Sequence, residues 1–236
     1  MWQNLNWRKW RLLLKLDPDK RISGTSLERL LKQIIFQPSV DGVIIGGTQN
    51  ITSENTEDLI DLVRETDYSG PLIQEISEIT AISLNVNGYL LPIVLNTGSR
   101  DWFIGKHLEA VKKFGHLIDW SEILPEAYLI CNPRCAAAEL TEVIPPSLDD
   151  LIAYLDLVEE VYRLPIVYLE YSGIYGNVDW LKAIKERCRQ THLFYGGGIK
   201  SLAQAEEMMA VADTVILGNI IYDDPEGTLK ILESII

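Results

Sequence analysis

Residues 193–219 read LFYGGGIKSLAQAEEMMAVADTVILGN. A short apolar strand, Leu193–Tyr195, runs into Gly196, Gly197 and Gly198. Ser201 follows as a cap, because its side-chain oxygen can satisfy a free helix amide, and Leu202–Ala212 has helical spacing. A second apolar strand, Thr214–Leu217, ends in Gly218-Asn219. Neither strand alternates polar with apolar residues, the pattern of strands buried on both faces of a parallel sheet. The stretch is therefore one β-α-β unit with glycine at the carboxyl end of each strand.

The same unit repeats towards the N-terminus. Further strands are expected at Leu12–Leu16, Gly42–Ile45, Leu72–Glu75, Tyr89–Leu95, Ala127–Cys131 and Ile166–Tyr171. Each is short, rich in Val, Ile, Leu or Tyr, and bounded by Gly, Pro, Asn or Asp. Helices are expected at Ser26–Phe36, Ser53–Glu65, Asp101–Phe114, Leu148–Tyr162, Val178–Arg189 and Glu226–Ile235. Ser53 or Thr56 is the expected cap of the second, and Ser147 or Asp149 that of the fifth. Eight strands alternating with helices over 236 residues point to the α/β class and a (β/α)8 TIM barrel, one domain over residues 1–236.

One unit departs from the pattern. Ile76–Gly88 carries β-branched Ile76, Ile79, Thr80, Ile82 and Val86, a poor helix prescription. The third helix is expected to be missing or replaced by an extended segment, leaving a gap in the outer ring. The alternative is a short helical turn there.

Composition narrows the function classes. Apolar residues make up 47% and charged residues 23%, which excludes a disordered chain. The formal net charge of −13 argues against a nucleic-acid binder, which needs a basic face. Residues 1–24 hold six Lys and Arg against two Asp, so the rest of the chain is strongly acidic. An anion must then be bound locally, by backbone amides, a metal or a few lysines. No apolar run is long enough to span a membrane, and the start of the chain is polar and basic rather than a signal peptide, so a cytoplasmic protein is expected. The N-terminal segment with Trp2, Trp7 and Trp10 leaves two readings open, contact with a membrane surface or packing across the barrel floor, the latter favoured. Cys131, Cys135 and Cys188 show no redox or zinc spacing and are expected to be reduced and structural. His107, His116 and His192 show no catalytic or metal spacing.

In such a barrel the carboxyl ends of the strands form the active face. Gly196, Gly197 and Gly198 with Gly218 and Asn219 read as a phosphate cup, because glycine lets backbone amides approach an anion. Lys15 and Asp17 end the first strand two apart and so face one side. The lysine suits a phosphate and the aspartate suits Mg²⁺, which prefers oxygen ligands. The alternative is a Lys–Asp ion pair. Thr48 ends the neighbouring second strand and could complete a metal or diphosphate site. Glu170 interrupts an apolar strand, so it needs partners or a raised pKa. It could orient or deprotonate a substrate hydroxyl, with Tyr168 and Ser172 beside it, or pair with Lys15 across the mouth.

With those motifs placed, the chain resembles the geranylgeranylglyceryl phosphate synthase family, and within it the bacterial PcrB branch of heptaprenylglyceryl phosphate synthases. The stretches that carry the resemblance are KLDP at Lys15–Pro18, VIIGGT at Val43–Thr48, PIVLN at Pro92–Asn96, DWFIG at Asp101–Gly105, NPRCAAAELTE at Asn132–Glu142, YLEYSG at Tyr168–Gly173, FYGGGIK at Phe194–Lys200 and GN at Gly218–Asn219. The resemblance implies a dimeric, Mg²⁺-dependent prenyltransferase that joins a polyprenyl diphosphate to sn-glycerol 1-phosphate through an ether bond. It implies that Lys15, the segment Tyr168, Leu169, Glu170, Tyr171, Ser172 and Gly173, and Gly198, Gly218 and Asn219 hold the glycerol phosphate. Asp17 and Thr48 would hold Mg²⁺. Glu170 would orient the attacking hydroxyl, and the Tyr168 ring would face the allylic carbon. Ala110 matches the family position where a bulky residue shortens the accepted chain, so a long tail of C20–C35 is expected in an apolar groove between the third and fourth units. The alternatives are a soluble phosphate-binding isomerase or epimerase on the same barrel, and a non-catalytic phosphate- or lipid-binding barrel.

Overall fold

The computed structural model describes residues 2–235. The strands are β1 (Leu12–Leu16), β2 (Gly42–Ile45), β3 (Leu72–Glu75), β4 (Tyr89–Val94), β5 (Ile123–Ile130), β6 (Ile166–Glu170), β7 (His192–Gly196) and β8 (Thr214–Leu217). They pair in sequence order, all parallel, and β8 closes on β1. The helices are α1 (Ser26–Ile35), α2 (Ser53–Arg64), α3 (Lys106–Phe114), α4 (Ala136–Leu140), α5 (Leu148–Asp156), α6 (Val178–Lys185), α7 (Leu202–Met209), α8 (Asn219–Asp223) and α9 (Pro225–Ser234). The (β/α)8 TIM barrel expected from the strand pattern is the fold.

Side-chain alternation divides the core in two. Leu12, Leu14, Leu16, Leu129, Leu169 and Tyr171 point outward and pack against the helices. Leu13, Ile44, Ile73, Tyr128, Tyr168 and Phe194 point into the barrel. Register stacks the interior in levels: Glu126, Ile166 and His192 at one, Tyr128, Tyr168 and Phe194 above it, and Ile130, Glu170 and Gly196 above that. Trp2, Trp7 and Trp10 join this inner cluster and are at most 8% exposed. They plug the amino end of the barrel, the packing that the sequence favoured over contact with a membrane surface.

The third unit has a single 3-10 turn, Ile79–Ala81, in place of a helix. Gln74 pins this segment: its Nε2 donates to the Ala81 carbonyl at 2.7 Å and its Oε1 accepts the Ser83 amide at 2.9 Å. Other boundaries move by a few residues. β5 starts at Ile123 rather than Ala127, because Ile123, Leu124, Pro125 and Glu126 already pair with Tyr89, Leu90, Leu91 and Pro92 of β4. The cap of α2 is Thr52, which accepts the Asn55 amide, rather than Ser53 or Thr56. Ser147 and Ser201 cap α5 and α7. Among the described residues no helix is long and apolar enough to cross a membrane.

Candidate active site

Two cavities meet at the carboxyl end of the barrel. One, of about 820 Å³, sits over the strand ends and is lined by Lys15, Asp17, Glu170, Gly198, Gly218 and Asn219, among others. The second, of about 450 Å³, runs outward from it between the third and fourth units. Gly47, Thr48, Tyr128 and Ala137 line both, so they mark the seam where contents of the two would touch.

The polar cavity collects most of the residues singled out above. Thr48, Tyr168, Ser172 and Gly173 also line it. Leu169 and Tyr171 do not: alternation turns their side chains into the outer core, and Tyr171 packs on Tyr195 at 6.0 Å between ring centroids. Only their backbone belongs to the rim. Gly198 has φ +57, and a Cβ there would overlap the backbone of Ile174 and Tyr175, so glycine alone lets the β7 loop lie against the β6 loop.

Lys15 emerges from β1 with its Nζ 2.6 Å from Glu75 Oε1. Burial opposes its charge, but Glu75, Glu170 and Glu126 outweigh that and hold its pKa above the usual lysine range. Its partner is thus neither Asp17 nor Glu170, as the sequence alternatives had it. Glu170 is 6% exposed and uses both carboxylate oxygens: Oε1 accepts the Ser172 amide at 2.6 Å and Oε2 accepts the Tyr128 hydroxyl at 2.8 Å. Burial raises its pKa, and Lys15 and the Tyr128 hydroxyl pull it back. A carboxylate oriented in this way, with a raised affinity for protons, can serve as a hydrogen-bond acceptor and base.

Tyr128 is a site residue that the sequence reading missed. Its ring packs edge-on against Tyr168 at 4.6 Å between centroids, and Lys15 Nζ lies 5.9 Å from both rings. Inside an apolar strand a tyrosine gives no signal of its own. Its parity with Ile130 on β5, two residues on, would have placed it inward. Glu75 and Glu126 were missed as partners of the site too. Glu126 is fully buried one level below Tyr128, with neither oxygen hydrogen-bonded, and burial followed by repulsion from Glu75 drives its pKa well up.

Asp17 stands at the mouth. Its Oδ1 accepts the Asp19 amide at 3.0 Å, and burial raises its pKa. A Cβ on Gly47 would overlap the Asp17 carboxylate, so the bare glycine lets β2's loop pass against it, and Thr48 lines the same cavity. Among the described residues no group of three or more His, Cys, Asp or Glu stands where it could hold a metal by itself. Mg²⁺ usually takes one or two carboxylates and completes its shell with water and substrate phosphate. A single half-buried carboxylate, with Thr48 in the lining of the same cavity, fits that pattern.

The second cavity is apolar. The segment that replaces the third helix supplies Ile76, Ile79 and Ile82, and α3 supplies Ala110, Val111 and Phe114. The absent helix is what opens it. Ala110 lines it from α3, downstream of Trp102, whose ring carries Lys106 Nζ at 3.9 Å. The cysteines are free, and burial pushes the Cys131 thiol up to about 12, as for an inert structural residue. His107 meets the Pro92 carbonyl and His192 the Thr214 hydroxyl, and neither lies in the polar cavity.

Comparison with known proteins gives this geometry a context. The sequence model of the PcrB family matches residues 5–235. The heptaprenylglyceryl phosphate synthase of Geobacillus kaustophilus is 44% identical over 229 residues, covering 97% of this chain and 93% of the relative. That of Brevibacillus brevis is 41% identical over 232 residues, covering 98% and 97%. Among solved structures, (S)-3-O-geranylgeranylglyceryl phosphate synthase of Thermoplasma acidophilum, in complex with sn-glycerol-1-phosphate, superposes with a TM-score of 0.82 over 98% of this chain and 94% of the other. At 19% identity that likeness speaks to the fold alone.

Proposed function

The chain belongs to the PcrB family, and on that premise we propose that it is a polyprenylglyceryl phosphate synthase. It joins a long polyprenyl diphosphate, C20–C35, to the C3 hydroxyl of sn-glycerol 1-phosphate and releases diphosphate. The observation that carries this reading is the pair of cavities, one polar and one apolar, that meet at Gly47, Thr48, Tyr128 and Ala137. A transferase that couples a polar acceptor to a hydrocarbon tail needs both, touching at one point. An isomerase of a small sugar phosphate has no use for the second.

The residues divide the work. The glycine-lined cup with Asn219 binds the glycerol phosphate, with Lys15, held by Glu75, lining its side. Glu170, fixed by Ser172 and Tyr128, accepts a hydrogen bond from the C3 hydroxyl and takes its proton as the oxygen bonds to the allylic carbon. The Tyr128 and Tyr168 rings offer their faces to positive charge building on that carbon. The tail lies in the apolar groove past Ala110. Asp17 and Thr48 are the residues that would hold Mg²⁺, whose contribution when bound is to offset negative charge on the departing diphosphate. The family resemblance also supports a homodimer and a cytoplasmic place of work. Sedimentation of the purified chain and cell fractionation test those two points.

Incubation with labelled sn-glycerol 1-phosphate, Mg²⁺ and prenyl diphosphates of C20 to C35 tests the main reading. An organic-soluble, acid-stable ether supports it, and no ether at any length rejects it. Full activity in EDTA would remove the metal from the account while leaving the transfer standing.

A further inference from the structure

The sequence offered Lys15 as the cation of an otherwise acidic body, yet Lys15 is already spoken for by Glu75 at 2.6 Å. A phosphate entering the cup would find that charge balanced. Lys20, on the turn after β1, is different. It lines the same cavity, is half-buried, and has no carboxylate within ion-pair distance among the described residues. It is also held in place. Its backbone amide closes a turn on the Asp17 carbonyl at 3.0 Å. Its Nζ sits 4.7 Å from the Tyr222 ring centroid and donates to Asn219 Oδ1 at 2.7 Å. Tyr222 in turn is tied back, its hydroxyl accepting the Asp17 amide at 2.7 Å.

Fixing a long lysine side chain costs rotamer entropy, so a fixed, unpaired lysine at an anion cup needs a reason. The geometry of the amide supplies one. An ammonium can only donate, so it must meet the oxygen of the Asn219 side chain. The Nδ2 donors of Asn219 are thereby left for the cup.

We propose that Lys20 binds the phosphate of the glycerol phosphate, as a half-buried, uncommitted cation already fixed at the cup, and positions the Asn219 amide to donate to that same phosphate. This rests on the reading of the cup given under the proposed function. The neighbouring diphosphate could draw on the same charge, and the test separates the two.

The variants K20M, which keeps the stem over Tyr222, and K20R, which keeps the charge, are compared with the wild-type chain. Binding of sn-glycerol 1-phosphate is followed by calorimetry, and KM is measured for each substrate separately. Expected for K20M is a loss of at least about tenfold in glycerol phosphate affinity and a matching rise in its KM, since a charge-assisted hydrogen bond is removed. Its KM for the prenyl diphosphate should stay within about twofold and kcat within about threefold, and K20R should recover glycerol phosphate affinity to within about threefold of wild type. Unchanged glycerol phosphate affinity in K20M overturns the proposal. So does a defect confined to the prenyl diphosphate, or a K20R as weak as K20M. Calorimetry needs no turnover, so the two readings fail separately: a wild type that binds glycerol phosphate through Lys20 but makes no ether rejects the transferase and leaves Lys20 its role.

Discussion

Lys15 and Glu75 are joined at 2.6 Å from strands on the two sides of β2, with Lys15 17% and Glu75 6% exposed. Glu170 and Glu126 lie close enough to act on the same lysine. One buried cation therefore serves three buried carboxyl groups. Removing it leaves Glu75 without its partner inside the barrel. Lys15→Met should lower unfolding free energy by about 3 kcal/mol, because an unpaired buried charge is left behind. The double variant Lys15→Met/Glu75→Leu should regain part of that stability without regaining activity. Urea unfolding of the three proteins checks this, and a single variant as stable as wild type would show the pair to be dispensable to the fold.

Glu170 has its two oxygens set by the Ser172 amide and the Tyr128 hydroxyl. Glu170→Gln keeps the size and loses the base. It should reduce kcat by about 10²-fold or more while leaving glycerol phosphate affinity nearly intact. A loss in KM alone would reassign the residue to binding.

Ala110 is the small residue on the α3 wall of the apolar groove. Ala110→Trp should block the far part of the groove and cut turnover of a C35 diphosphate about tenfold more than that of a C20 diphosphate. Competition between the two substrates in one tube measures the ratio directly. Equal losses would mean that the groove ends elsewhere.

At the other end of the barrel His192 packs edge-on against Trp7, with Nε2 3.0 Å from Thr214 Oγ1 and Nδ1 4.0 Å from Asp213 Oδ2. Burial lowers its pKa from 6.5 to about 4; the Asp213 carboxylate works against that shift, and Arg8, Lys185 and Arg11 work with it. The folded value lies below the unfolded one, so the contribution of the neutral ring is complete above pH 6.5 and is lost as pH falls towards 4. Between pH 7 and pH 5 the wild type should lose roughly 2 kcal/mol more than a His192→Gln variant. Parallel acid titrations of unfolding free energy check the difference, and identical slopes would show that the ring is protonated without cost.

The barrel was legible because its strands announce themselves. Each is a short apolar run closed by glycine or a polar residue, and the missing third helix shows in the β-branched residues of Ile76–Gly88. The cup was legible for the same reason, since Gly198 and Gly218-Asn219 sit at strand ends. What stayed hidden depends on closure. The Lys15–Glu75 pair spans 60 positions of sequence and forms only once β1 and β3 curve around β2. Glu126 was lost with the early start of β5, and Tyr128 passed as one more apolar residue. Leu169 and Tyr171 were carried along with their segment although strand alternation turns their side chains outward. Lys20 lies beyond the end of β1, and nothing in its neighbours announces the Asn219 amide it meets from the far end of the chain.

The central claim is that the C3 oxygen of the glycerol phosphate becomes the ether oxygen while the prenyl carbon leaves its diphosphate. Glycerol 1-phosphate carrying ¹⁸O in that hydroxyl, turned over with unlabelled prenyl diphosphate and read by mass spectrometry, tests it most directly. The predicted result is full retention of ¹⁸O in the ether lipid and none in the released diphosphate. Label in the diphosphate, or an ether product without label, would contradict it.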